Sequence, residues 1–200
     1  MQLKKFTGSL LFLLGLYLAF FMHSKIWYSF FVIGGFLFFD DINSKNNFSV
    51  LSNKKMFIFV FLIFVIFGVI TEIVGNLWLE KWDSDFNSLE YIIHVILISY
   101  PFVCFFSLEL FVFIKNIFKS KNIILILPVS AFVFGYINEI PNTFAYEWKY
   151  KNLPLGEFLG VPILISFLWL LILLTLLFER FFIKSKKNFR RTSPKASLIF

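Results

Sequence analysis

The sequence predicts an all-α fold: a polytopic transmembrane bundle of about six helices containing two parallel helical-hairpin repeats. Three observations carry this. Of 200 residues, 59% are hydrophobic and only 16% charged, whereas soluble domains are near half apolar and about a quarter charged. The apolar residues fall in long runs, close to the roughly 20 residues a helix needs to cross the hydrocarbon core. The runs are continuous, without the apolar/polar alternation of barrel strands. The length suits one domain.

Taken in order, the spans run over about 6–22, 26–40, 56–79, 91–114, 122–140 and 158–180, and a basic tail covers 184–200. The first follows Lys4 and Lys5 but ends in Ala19-Phe20-Phe21-Met22-His23. That ending has no small-x-small cleavage site, so the run reads as an uncleaved span. The first two spans are short and separated by Ser24 and Lys25, which fits a tight hairpin or one long broken helix. The third, fourth and sixth are long enough to tilt. The 32 Phe residues share A/T-rich codons with the abundant Lys, Asn and Ile, so they need not mark a cofactor box. Cys104, the single cysteine, rules out an intrachain disulfide or a CxxC metal site and reads as a small packing residue.

Six spans sort the loops onto two sides. All but Lys25, Lys81, Lys149 and Lys151 of the 19 basic residues fall on the side of the two termini. Basic residues mark cytoplasmic loops, which predicts both ends in the cytoplasm and the chain in a cell membrane, the inner one where there are two. The net charge of +7 therefore does not call for a nucleic-acid partner. The tail is also suited to anionic headgroups. The opposite loops hold Glu80, Asp83, Asp85, Glu90, Glu147 and Glu157 with Trp78, Trp82, Trp148 and Tyr150, aromatics that suit an interfacial belt.

Ionisable groups inside spans are costly and are functional candidates. Glu72 lies about 22 Å and Glu139 about 25 Å from the cytoplasmic start of their helices, and His94 enters from the other side to a similar depth. Asn76 stands four residues after Glu72, a helical spacing that shares one face. Asn142 stands three after Glu139 and shares its face if the helix continues past Pro141, which interrupts the fifth span and frees backbone carbonyls. The candidates are Glu72 and Glu139 as catalytic groups, with Asn76, His94, Asn138 and Asn142 binding substrate. The plain alternative is that these groups reach interfacial water or pair with Lys81 and Lys149. Glu109, Asp40, Asp41 and Glu179 are expected to face headgroups.

Residues 68–80, GVITEIVGNLWLE, and 135–147, GYINEIPNTFAYE, share Gly68/Gly135, Ile70/Ile137, Glu72/Glu139, Ile73/Ile140 and Glu80/Glu147. Each block precedes an aromatic, charged loop and a span with Pro101 or Pro162. The repeated unit is a hairpin in one orientation, and such repeats often place a site between their copies.

Two carboxyl groups in a poorly solvated layer can divide acid and base roles. That suits proton-driven chemistry on an isoprenoid, or proton carriage by a transporter. Glu72-x-x-Gly75, Trp148-x-Tyr150 and Gly160-Val161-Pro162-Ile163 leading to Trp169 faintly resemble the polytopic carotenoid-biosynthesis proteins, the small membrane lycopene cyclases and carotenoid hydratases. The resemblance covers roughly 68–80 and 135–170, through short motifs. The Pro-x-Glu-Glu pair of the cyclases has no counterpart at Pro101 or Pro162. It implies a helical membrane protein with acidic residues and no metal or nucleotide motif.

No phosphate-binding loop, HExxH, GxSxG or GxGxxG motif occurs, and no cofactor or metal is expected, since two carboxylates and one His could bind a cation but show no distinctive ligand spacing. The expected partners are membrane lipid and an isoprenoid or other apolar small molecule. The functions in view are a membrane-embedded enzyme or binding protein using the paired carboxylates, a small proton-coupled transporter or transporter subunit, and a non-catalytic assembly protein.

Overall fold

The computed structural model describes residues 2–83, 88–118, 123–151 and 153–168. The expected sixth span lies mostly outside the described residues, as do Trp169, Glu179 and the basic tail.

The described chain is mostly helical. Helix α1 is Gln2–Phe20 and α2 is Trp27–Ser44. Helix α3, Lys54–Glu72, runs on without a break as a π-helical turn, Ile73–Trp78. Helix α4 is one rod, Leu89–Phe118, whose stretch Ile92–Ser99 is also π-helical. Helix α5 is Ile123–Ala145 and α6 begins at Ile163. The α1, α3 and α4 rods contain segments, Leu3–Phe20, Phe57–Trp78 and Leu89–Phe118, long and apolar enough to cross a membrane.

The first two runs form a hairpin rather than one broken helix. Backbones approach because glycines face each other. A side chain at Gly8 would stand 2.6 Å from the Phe38 nitrogen, one at Gly15 2.6 Å from that of Phe31, and one at Gly34 would overlap the Phe12 backbone. Small residues permit this approach where no hydrophobic force drives helices together in lipid.

Helix α4 is the central rod, since Val103 through Val112 are all buried. A helix apolar all round belongs in an interior. Its adjacent Phe105 and Phe106 serve opposite sides. Phe105 packs on Phe36, Phe57 and Phe64, and Phe106 on Phe12, Phe31 and Phe134. The outer helices α1 and α3 instead expose apolar stripes: Leu3, Phe6, Leu10, Leu13 and Tyr17 on α1, and Ile58, Leu62, Ile66 and Ile70 on α3.

Four two-residue strands lie in the connections: β1 Trp82–Asp83, β2 Lys149–Tyr150, β3 Glu157–Phe158 and β4 Val161–Pro162. β1 pairs antiparallel with β2, Trp82 opposite Tyr150 and Asp83 opposite Lys149. β3 and β4 form a hairpin through Leu159 and Gly160, with φ of 55° and 75°, the left-handed pair that a two-residue turn of this kind requires. This hairpin occupies the expected start of the sixth span.

Pro141 does not interrupt α5, which continues to Ala145. The π-helical stretches stand elsewhere, one ending at Trp78 and one just before Pro101. A π turn bonds N–H to the carbonyl five residues back, as Leu79 does to Val74 at 2.9 Å and as Tyr100 does to Val95. It inserts one residue into a helix and is frequent at functional sites.

The expectation that Asp40, Asp41 and Glu109 face headgroups is corrected. All three are buried within the protein, because the segment after α2 folds back over its end. Asp40 accepts from Lys4, from the Ser49 hydroxyl at 2.9 Å and from the Leu51 N–H at 3.3 Å. Glu109 accepts from Asn43 Nδ2 at 2.6 Å and from the Val50 N–H at 3.1 Å.

Candidate functional site

At the opposite end of the bundle the two candidate carboxylates, Glu72 and Glu139, are each 2% exposed. Each accepts one phenol and one indole. For Glu72 the donors are the Tyr100 hydroxyl at 2.7 Å and Trp82 Nε1 at 3.2 Å. For Glu139 they are the Tyr150 hydroxyl at 2.7 Å and Trp148 Nε1 at 3.2 Å. Trp148 Nε1 also reaches the Tyr150 oxygen at 2.9 Å, so its proton is shared. Tyr150 keeps its proton because burial, then the charge of Glu139, pushes its pKa well above the ordinary phenol value.

The first carboxylate sits in a bed that the sequence builds on one helical face. Gly68, Glu72 and Gly75 follow an i, i+4, i+7 pattern, which aligns them. A Cβ at Gly68 would come within 2.7 Å of the Tyr100 ring, and one at Gly75 would overlap the Trp82 ring. The two glycines thus leave room for the two rings whose polar tips bind the carboxylate between them. This is a physical reason for the Glu-x-x-Gly spacing.

Both carboxylate-bearing helices end alike. Glu80, with φ of 48°, follows α3, and Tyr146, with φ of 54°, follows α5. Each left-handed residue reverses the chain into a strand two or three residues later, carrying Trp82 or Trp148 back over its own helix. The β1–β2 pair then joins the Glu72 donor Trp82 to the Glu139 donor Tyr150.

Of the other predicted residues, Asn142 clamps the chain beyond α5. Its Nδ2 donates to the Trp148 carbonyl at 2.9 Å, and its Oδ1 accepts from the Glu147 N–H at 3.1 Å and the Trp148 N–H at 3.3 Å. Asn138 is fully buried; its Oδ1 accepts from the Tyr28 hydroxyl at 3.1 Å and its Nδ2 donates to the Phe134 carbonyl at 2.7 Å. These amides position the surroundings of Glu139. Asn76 lies half-buried on the π turn. His94 is buried on α4, with Nδ1 3.4 Å from Oε1 of Glu147.

Sequence reasoning missed three kinds of participant. Trp82, Trp148 and Tyr150 read as interfacial belt residues, yet they bind the carboxylates; Trp78, also assigned to the belt, is 74% exposed. Trp27 and Tyr28 open α2 and join a ring cluster with Trp148, at centroid separations of 6.1 Å and 5.0 Å. Glu147 read as a loop acid, but it is 5% exposed. Burial pushes its carboxyl well above the ordinary carboxylate range; Lys25 and Trp27 oppose that shift and Glu72 adds to it.

The layer can hold negative charge on fixed neutral donors, and its aromatic faces can attract a cation. No family model, curated protein or solved structure matches this chain.

Proposed function

We propose that this is a polytopic protein of the cell membrane, with cytoplasmic termini, that binds an isoprenoid or other apolar lipid in the outer half of the bilayer. Glu72 and Glu139 serve as its acid/base groups or polar anchors. The observation that carries this reading is the pair of buried carboxylates, each held by one indole and one phenol within a cluster of aromatic rings. Protonating an alkene generates a carbocation, and its stabilisation calls for electron-rich ring faces with carboxylates nearby. An apolar molecule reaches such a layer from the bilayer.

The internal repeat supports a site shared by two halves. Glu72 and Trp82 are ten residues apart, Glu139 and Trp148 nine. The π turn between Glu72 and Trp82 supplies the one extra residue. The offset between copies is thus 67 before the turn and 66 after it, and Trp82 corresponds to Trp148. Under this alignment the Glu80/Glu147 match of the simple repeat is coincidental, and Glu80 corresponds to Tyr146, both left-handed.

The test is mass spectrometry of lipids carried by protein purified in nanodiscs. Wild type retains an apolar lipid at near-stoichiometric amount, and a folded Glu72→Gln/Glu139→Gln protein loses it. An empty wild type, or an equally loaded variant, overturns the proposal. A second reading, a non-catalytic assembly protein, draws on the hydrogen bonds that Asn138 and Asn142 both donate and accept within the protein. It predicts that the same substitutions reduce abundance while wild type carries no ligand.

A further inference from the structure

Three buried polar groups beside this layer make no hydrogen bond of ordinary geometry among the described residues, namely Trp27 Nε1, His94 Nδ1 and the carboxyl oxygens of Glu147, although the indole still acts on the Glu147 carboxyl as a donor. They come from the start of α2, the π stretch of α4 and the segment after α5. Unpaired carboxylates are expensive to bury, and a carboxylic acid is the cheaper form.

The backbones of the pair are fixed. The His94 carbonyl accepts the Ser99 hydroxyl at 2.6 Å and the Ser29 hydroxyl at 2.9 Å, and the Glu147 N–H is held by Asn142. The imidazole and carboxyl therefore meet at 3.4 Å without the alignment of a settled ion pair.

The pair also lies between surface and layer. Exposed Glu90 stands four residues before His94 on α4 and acts electrostatically on it, as does Lys25, also exposed. On the inner side, Glu147 interacts with Glu72. The titratable and charged groups facing the pair are thus Lys25 before α2, Tyr28 on α2, Glu72 on α3, and Glu90 and Tyr91 on α4.

We infer that His94 and Glu147 form a proton relay reached from the Glu90 surface of α4. In the inward step the Nδ1–H bond of imidazolium His94 breaks and an O–H bond forms at Oε1 of Glu147, converting an ion pair into two neutral groups. The reverse transfer restores the ion pair, and the proton held at His94 exchanges with water at the Glu90 surface. No electrons are transferred. The exchange between His94 and Glu147 does not rest on the proposed acid role of Glu72.

The test uses full-length protein in nanodiscs. Infrared spectra at neutral pH are expected to show a protonated carboxyl absorption that Glu147→Gln removes, and nitrogen NMR is expected to show a His94 titration midpoint that Glu147→Gln moves by about one pH unit. His94→Gln is expected to slow deuterium exchange at the Glu147 carboxyl. Retained Trp82 and Trp148 indole signals certify that the variants are folded. A wild-type carboxyl band and His94 midpoint both unaffected by Glu147→Gln, or an exchange rate unaffected by His94→Gln, overturn the relay. A protein that carries no lipid yet shows the expected band, midpoint shift and exchange defect retains the relay and loses only the lipid-binding function.

Discussion

Each buried carboxylate oxygen of Glu72 and Glu139 answers a specific neutral donor. Replacing either residue by Gln keeps the volume but leaves an amide N–H₂ facing a donor. Each substitution is expected to cost about 1–3 kcal/mol of stability by thermal unfolding in detergent. Gly75→Ala places a methyl group in the Trp82 ring and is expected to cost about 1–3 kcal/mol, with a shifted tryptophan emission. Glu147 sets a pH dependence. Its folded pKa is raised, so its favourable contribution is fully present below the unfolded carboxyl range. It is lost as pH rises toward the folded value, at about 1.4 kcal/mol per pH unit within that interval. Unfolding of Glu147→Gln measured across the same pH range is expected to lose that slope.

Helix pairing follows the small residues. Gly34→Val forces α1 from α2, because Gly34 already contacts the Phe12 backbone. The expected result is about 1–3 kcal/mol of destabilisation, or a lowered yield, by unfolding and expression assays. The helical character of the long apolar runs was legible because hydrophobic run length is a strong local signal. The glutamates stood out because a charge within an apolar run is expensive. Their donors were not legible. Trp82 and Trp148 reach the carboxylates only because the chain reverses at Glu80 and Tyr146, and an interfacial tryptophan has the same local sequence. The π turns also escaped notice, since an inserted residue leaves the apolar pattern intact. The burial of Asp40 and Glu109 depends on a loop folding back from a distance, which no helical periodicity encodes.

Across the whole molecule, contacts separate two polar ends along one apolar rod. Lys4, Asp40, Asn43, Val50 and Glu109 meet at one end, and Trp27, Glu72, His94, Glu139 and Glu147 lie at the other. Cysteines placed at exposed Asn46 and Lys149 are expected to react with an impermeant maleimide from opposite faces of the cell membrane, with Cys104 buried and silent. The measurement closest to the centre of the account is the indole N–H region of a nitrogen-15 spectrum, with Trp82 and Trp148 assigned by substitution. Two protected indole signals are predicted, with Glu72→Gln displacing that of Trp82 and Glu139→Gln that of Trp148. Indole signals that exchange freely with solvent, or stay in place in both variants, would contradict two carboxylates held by their own aromatic donors.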